Sequence, residues 1–401
     1  MIKKNILIIG NYPPPYGGVP HHIERLTEYL VEKGWTCHIL SGGSSGNAIN
    51  GSLFIYKPRY SQKLISFVRQ IFNRKFNDWV CSGTLNHDEP NILRHYKIYA
   101  DIGSQIIRKH DISLIASYNL LSNGPIGAFL AHQFKLPHVI NVFGEVYKFK
   151  SMHKNKKFFV NVIGTANRLL SCSSHCGRSI QLLGSKKPVQ TVTYGVDINH
   201  FAPGESPDLK KKLGIGSSPI VLFVGRLDRE MGLDSFLAAA QLITKTSSID
   251  VRFLMVGQSG DLADEVEKEC EISNGKLLMR RNSTYADLPN YYRLASIVVV
   301  PTRGERTCSS LAAMEAMATR KAVVGFAIGG IPEIIDHERT GLLVEPEDIQ
   351  GLADAINRLL NNESQRMLLA DEAYRESQVR FDEIQVNATV ERYFLDALGG
   401  T

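Results

Sequence analysis

The sequence predicts an α/β protein built from two doubly wound domains, each a parallel sheet with helices on both faces. Short apolar runs recur along the chain and end at glycine-rich loops. Amphipathic helical stretches separate them, which is the pattern of βαβ units and parallel sheets. The alternation stops over a polar segment, 184–218, and then restarts, so the domains join near 185–218. At 401 residues the chain has room for two or three domains of ~150 residues each.

The first run, "NILIIG" (5–10), is continuous rather than alternating, as expected of a strand buried on both faces. "NYPPPYGGVP" follows as a loop. The helix "HHIERLTEYLVEKG" then sets Ile23, Leu26 and Leu30 at helical spacing and stops at Gly34. "WTCHILSG" is the next strand. "ISLIASYN" (112–119), "PHVINVFG" (137–144) and "RLLSCSS" (168–174) continue the sheet. After the polar segment come the strand "PIVLFVGRLD" (219–228), the helix "GLDSFLAAAQLI" and the strand "VRFLMVGQSG". "LASIVVVPT", "AVVGFAIGG" and "GLLVEP" are three more strands. In such sheets ligands bind at the carboxyl ends of the strands, where these glycine loops fall.

Composition narrows the class. Apolar residues make up 43% and charged residues 21%, which are globular values. A net charge of +6 does not by itself point to nucleic acid, and none is expected as a partner. The six cysteines, at 37, 81, 172, 176, 270 and 308, form no CxxC pair and have no histidines at zinc spacing. They read as reduced thiols, and no metal is expected. The amino terminus lacks a signal-peptide core, and no run of ~18 apolar residues occurs, so a cytoplasmic protein is expected. Two basic, aromatic segments stand out, "KPRYSQKLISFVRQIFNRKF" (57–76) and "YKFKSMHKNKKFF" (147–159). The first would put Leu64, Phe67, Val68, Ile71 and Phe72 on one helical face, flanked by Lys57, Arg59, Lys63, Arg69, Arg74 and Lys75. Such segments are either core-facing helices with a solvated basic face or sites of peripheral contact with an anionic membrane, at the inner face of the cell membrane.

The most informative stretch is "PTRGERTCSSLAAMEAMA" (301–318), with "GGIPEIIDHERTGLLVEPED" (329–348) behind it. With "PPPYGGVP", "YGVDINHF", "FVGRLDREMG" and "LPNYYRLASIVVVPT", it resembles family 4 glycosyltransferases and their group 1, glycogen-synthase-like C-terminal domain. The resemblance runs over nearly the whole chain, though its specific motifs occupy a small part of it. It implies retaining enzymes of the GT-B fold, two Rossmann-like domains with a cleft between them. Residues 1–190 would bind acceptor and 191–380 the nucleotide sugar. The terminal helix, 381–401, would cross back to complete the first domain.

Retaining transfer from a nucleotide sugar needs three things: a neutralised diphosphate, held ribose and sugar hydroxyls, and a tolerated positive charge on the sugar carbon. Arg226 directly follows the strand "IVLFVG", where a guanidinium can grip a diphosphate bidentately. Gly17 and Gly18 precede a helix whose N–H groups can face phosphate, or they simply make a tight turn. Ser309 is the expected N-cap of the helix "SLAAMEAMA". Ser309, Ser310, Gly257 and Arg281 complete the donor-binding candidates.

In the family two acids are spaced Glu-x7-Glu, the first near the donor sugar and the second on the ribose. Glu315 matches the second. Eight positions back lies Thr307, which carries no charge, whereas Glu305 lies ten back. A loop can absorb two extra residues, so Glu305 is the expected catalytic acid, with Arg226. The sequence departs from the family twice more. Met231 stands where a phosphate-binding lysine is usual, leaving Arg229 or the Arg280–Arg281 pair to compensate. Phe143 stands where a histidine faces the donor sugar, with Glu145 two residues on as either a polar contact or a solvent-facing charge.

The expected function is a hexosyltransferase moving a sugar from a nucleotide-diphosphate donor to a glycan or lipid-linked acceptor in cell-surface polysaccharide synthesis. No cofactor is implied, since arginine and helix dipoles take the metal's role. The alternatives are a sugar-nucleotide epimerase or hydrolase on the same fold, and a non-catalytic partner protein of that fold.

Overall fold

The computed structural model describes residues 3–13, 17–42, 48–58, 61, 63–66, 90–147, 152, 154–304 and 307–399. The chain divides into two compact units, Met1–Thr193 with Val386–Thr401, and Tyr194–Gln385.

In the first unit the strands are β1 (Asn5–Ile9), β2 (Thr36–Leu40), β3 (Ala48–Asn50), β4 (Leu53–Tyr56), β5 (Leu114–Tyr118), β6 (His138–Val142), β7 (Arg168–Ser171) and β8 (Gln190–Thr191). Their order is β3-β4-β2-β1-β5-β6-β7-β8. All neighbours are parallel except β3 with β4. The chain works outward from β1 in one direction, then returns to start at β5 on β1's other side, which makes a topological switch point between them.

Helices α1 (Gly18–Glu32), α2 (Pro90–Lys109), α3 (Gly124–Phe134), α4 (Lys156–Gly164) and α5 (Ser174–Leu182) belong to this unit. The predicted stripe of α1, Ile23, Leu26 and Leu30, is buried. Every residue of β5 and β6 is buried, including the polar Ser117 and His138, which hydrogen-bond each other at 2.8 Å. Helix α3 runs so close to the sheet that a Cβ on Gly127 would lie 2.0 Å from the Ser117 hydroxyl and 2.5 Å from the His138 ring. Only glycine allows that approach.

The second unit holds β9 (Ile220–Val224), β10 (Arg252–Gly257), β11 (Leu277–Arg281), β12 (Ile297–Val300), β13 (Ala322–Phe326) and β14 (Leu342–Val344). Their order is β11-β10-β9-β12-β13-β14, and every pairing is parallel. This is the doubly wound order with the switch point between β9 and β12. Its helices are α6 (Pro207–Lys212), α7 (Leu233–Thr246), α8 (Ala263–Ile272), α9 (Leu288–Leu294), α10 (Leu311–Ala318), α11 (Ile349–Asn361) and α12 (Glu363–Arg380). Phe236, Ile243, Leu352, Ile356 and Leu359 pack on Val221, Phe253 and Val324 to form the core.

The last helix, α13 (Glu383–Ala397), contributes its larger part to the first unit. Glu391 anchors it there. Its carboxylate accepts bonds from the Trp35 indole (2.8 Å), the Lys4 ammonium (3.1 Å) and the Tyr29 hydroxyl (3.3 Å). Phe394 meets the Trp35 ring edge-on at 6.1 Å. Burial works against the charge of Glu391, but these bonds outweigh it and hold the carboxyl below its ordinary range.

The two basic segments are corrected in part. Lys57 is buried and donates to the Pro13 carbonyl at 2.8 Å, so it tethers the loop ahead of α1 and is no part of an exposed basic face. Leu64, on the predicted apolar face, is exposed. Residues 67–76, with Phe67, Val68, Ile71, Phe72, Arg69, Arg74 and Lys75, and also Arg59, lie outside the described residues. In the second segment Phe158 and Phe159 belong to the core. Among the described residues no helix is long and apolar enough to cross a membrane.

Candidate functional site

The second unit's switch point concentrates the predicted groups. Strand β9 ends at Val224, and Gly225 and Arg226 follow at its carboxyl end. The neighbouring strand β12 ends at Val300 and leads through 301–310 into α10. The loops after both strands are locked together. A Cβ on Gly232 (φ 78°) would come 1.7 Å from the Pro301 carbonyl oxygen, and the Arg303 amide donates to the Glu230 carbonyl at 3.2 Å. Gly257, ending β10, is pressed equally hard on Gly225, whose carbonyl oxygen would lie 1.6 Å from an added Cβ. Gly257 therefore shapes the floor of this loop cluster through its backbone.

Arg226 is half-exposed. Its guanidinium touches Glu230 at 3.0 Å, a pair exposed on both sides, and Asp228 at 3.2 Å, a largely buried carboxylate that also accepts from the Met231 amide at 2.9 Å. Arg229 is more exposed and faces Asp234, Asp261 and Glu265 at 3.6–3.9 Å. Arg281 ends the edge strand β11, with β10 between it and β9. Its Nη2 donates to the Ala263 carbonyl (2.7 Å), Asp264 (2.8 Å) and Glu267 (2.7 Å), so it is tied to α8 and not grouped with Arg226. Arg280 donates to the Met279 carbonyl. The Met231 side chain packs against the core.

Helix α10 is capped by Ser310, whose hydroxyl accepts from the Ala313 amide at 3.3 Å; the cap lies one residue later than the expected Ser309. The Ser309 hydroxyl oxygen is enclosed and makes no hydrogen bond among the described residues. Glu315 falls in the second turn, as expected, but it is buried rather than an exposed helix charge. Its Oε2 accepts a 2.7 Å bond from the Tyr292 hydroxyl of α9. Loss of water raises the Glu315 carboxyl to about 7, even though the bond from Tyr292 favours its charge. Sequence reasoning passed over Tyr292, whose one signal was its place inside the quoted "LPNYYRLASIVVVPT" stretch. Glu305 lies outside the described residues. Thr307 is described, its amide bonded to the Gly304 carbonyl and its carbonyl to the Gly330 amide.

In the first unit Gly17 is the N-cap of α1 and Gly18 its first residue. Gly17 is extended (φ 169°), a conformation open to any residue, and an added Cβ would meet nothing nearer than Pro20 at 3.8 Å, so no left-handed turn requires glycine there. Phe143, at the end of β6, is buried and stacks on Tyr118 with ring centres 6.1 Å apart. Glu145 is not a solvent-facing charge. It is buried, and its two oxygens accept from the Leu120 amide (2.7 Å) and the Phe143 amide (3.0 Å). It thereby ties the ends of β5 and β6 together.

Comparison with known proteins agrees with this geometry. Residues 218–362 match the family model described as Glycosyl transferases group 1. An uncharacterized glycosyltransferase of Methanocaldococcus jannaschii is 26% identical over 377 residues, 92% of each chain. A D-inositol 3-phosphate glycosyltransferase of Corynebacterium urealyticum is 34% identical over 200 residues, covering 47% of this chain and 46% of that protein. Among solved structures, a sucrose-phosphate synthase from Thermosynechococcus elongatus superposes with TM-score 0.77 at 21% identity, over 99% of this chain and 100% of that one. The Anabaena protein HepE, solved with UDP-glucose, superposes with TM-score 0.73 at 16% identity, over 98% and 99%. The chain has the GT-B fold of two Rossmann-like parallel-sheet units, and the matches support a glycosyltransferase.

Proposed function

We propose that this protein is a retaining hexosyltransferase that takes its sugar from a nucleotide-diphosphate donor bound in the second unit and passes it to a glycan or lipid-linked acceptor. The observation that carries the reading is the β9–β12 switch point, where an exchangeable guanidinium, Arg226, and a buried carboxyl, Glu315, sit on the two segments that follow adjacent strands. In the proposed site Arg226 and the N–H groups at the head of α10 take the diphosphate. Glu315 keeps Oε2 on Tyr292 and offers Oε1 to the ribose hydroxyls. Glu305 supports the sugar as its carbon becomes positive. The bond between that carbon and the diphosphate oxygen breaks with its electrons going to the diphosphate. The acceptor oxygen bonds on the same face, and its proton passes to the departing phosphate oxygen. Gly17 and Gly18, at the head of α1, are proposed as a further phosphate-binding group. A role in cell-surface polysaccharide synthesis, and peripheral contact with an anionic membrane through basic residues around 59–76, belong to the same proposal.

Incubation with UDP-, GDP- and ADP-sugars and a panel of glycan and lipid-linked acceptors tests the reading. A transferred sugar with retained anomeric configuration is expected. Epimerised or hydrolysed donor in place of transfer would give the site to an epimerase or hydrolase. The buried, aromatic-stacked Phe143 favours one further reading, a non-catalytic partner, and nucleotide-sugar binding without any turnover would support that.

A further inference from the structure

A nucleoside diphosphate leaving group carries two to three negative charges, and Arg226 alone, half-offset by Asp228 and Glu230, is a weak counterweight. We propose that Arg303 is the second diphosphate-binding group of the donor site, an inference that rests on the donor-site reading above.

Arg303 follows the carboxyl end of β12, on the other side of the switch point from Arg226, and its amide bond to the Glu230 carbonyl fixes it beside the Arg226 loop. Its Nη1 holds Asp234 at 2.7 Å, at the head of α7. Its Nε is enclosed and makes no hydrogen bond among the described residues, with the Glu347 carboxylate 3.6 Å away. A third of the side chain is open to solvent, so the guanidinium can turn from Asp234 and Glu347 to a bidentate grip on an incoming anion. The other arginines fit less well. Arg281, whose Nε is likewise enclosed without a hydrogen bond among the described residues, stands on the edge strand β11 and gives three Nη2 bonds to α8, and Arg229 faces three carboxylates at 3.6–3.9 Å. Asp234 is shared between Arg303 and Arg229, so it retains a partner when Arg303 turns to an incoming diphosphate.

The test is calorimetric titration of the full chain with UDP, GDP and ADP and with the corresponding nucleosides. The proteins compared are wild type, Arg303→Met, Arg303→Lys, Arg229→Met and Arg226→Ala, with thermal unfolding of each as the fold control. For the diphosphate that wild type binds, Arg303→Met should lose affinity on the order of 10- to 100-fold. Arg303→Lys should lose less, and nucleoside affinity should stay level. Diphosphate affinity unchanged in Arg303→Met but lost in Arg226→Ala would overturn the role of Arg303 and leave the donor site standing. So would an equal loss of nucleoside and diphosphate, or a loss in Arg229→Met in its place. If Arg303→Met does not fold, Arg303→Lys decides alone, with unchanged diphosphate affinity counting against the proposal. A wild-type protein that binds no nucleoside diphosphate would sink the donor-site reading itself.

Discussion

Replacing Glu315 by glutamine should remove a pH-dependent cost to the second unit and weaken the donor site at once. In the fold the Glu315 carboxyl sits at about 7 against an ordinary 4.5, raised by burial. A gap of that size is worth roughly 3 kcal/mol at ~1.4 kcal/mol per pH unit. Below pH 4.5 the group is protonated in both the folded and unfolded chain and costs nothing. Between 4.5 and about 7 the folded state binds the extra proton, so stability falls as pH rises. Above about 7 the full cost of a buried charge is carried. The substituted amide stays neutral throughout and keeps an acceptor for the Tyr292 hydroxyl. Its new N–H donor, if unmet, costs roughly 1–3 kcal/mol at every pH. The pH-dependent part of the difference between the two proteins is therefore the clean quantity. Thermal unfolding of the second unit, followed from about pH 4 to about 8.5, should show wild type falling by roughly 3 kcal/mol relative to Glu315→Gln. That is a relative drop of about 6–12 °C in the second unit's transition. Donor affinity of wild type should rise with pH through about 7 as the carboxylate becomes available. The variant's should be flat and about 10- to 100-fold weaker. Parallel unfolding curves across the pH range, or equal donor affinity, would refute a buried ribose-binding carboxylate.

Three further outcomes are expected. Glu305→Gln should lower turnover on the order of 100-fold with little change in donor affinity, because its charge matters chiefly in the transition state. Thr307→Val should leave turnover nearly intact, and the opposite ranking in a transfer assay would move the first acid's place to Thr307. Glu391→Ala should destabilise the first unit by roughly 1.5–3 kcal/mol, seen in its unfolding transition, through loss of the bonds from Trp35, Lys4 and Tyr29. Because the Glu391 carboxyl is held below its ordinary range, this contribution is present above pH 4.5 and disappears as pH falls through the folded value, so the two proteins should converge in acid.

The central strands were legible because each is buried on both faces and so is rich in apolar residues, as in "NILII", "HVINV" and "IVVV". The edges were not. Strand β11, "LLMRR", is only half-buried along its length, and β8 has two residues, so neither carries the continuous run that marks a core strand. The places of Arg226 and Glu315, one at a strand end and one inside a capped helix, were legible from the pattern, while their roles at a donor site come from the family resemblance. Their surroundings were not, because these depend on contacts between distant parts of the chain. Tyr292 meets Glu315 across 23 residues, and Glu145 reaches Leu120 across 25. Lys57, which reads as a surface cation, is buried only because the Pro13 carbonyl lies 44 residues away in sequence and 2.8 Å away in space.

The most direct test is whether the β9–β12 switch point binds a nucleoside diphosphate at all. Calorimetry of wild type and Arg226→Ala with UDP, GDP and ADP should show one of the three binding to wild type, with affinity reduced about 10- to 100-fold in the variant while the matching nucleoside is unaffected. Binding of none of them, or binding that ignores Arg226→Ala, would contradict a donor site at this crevice.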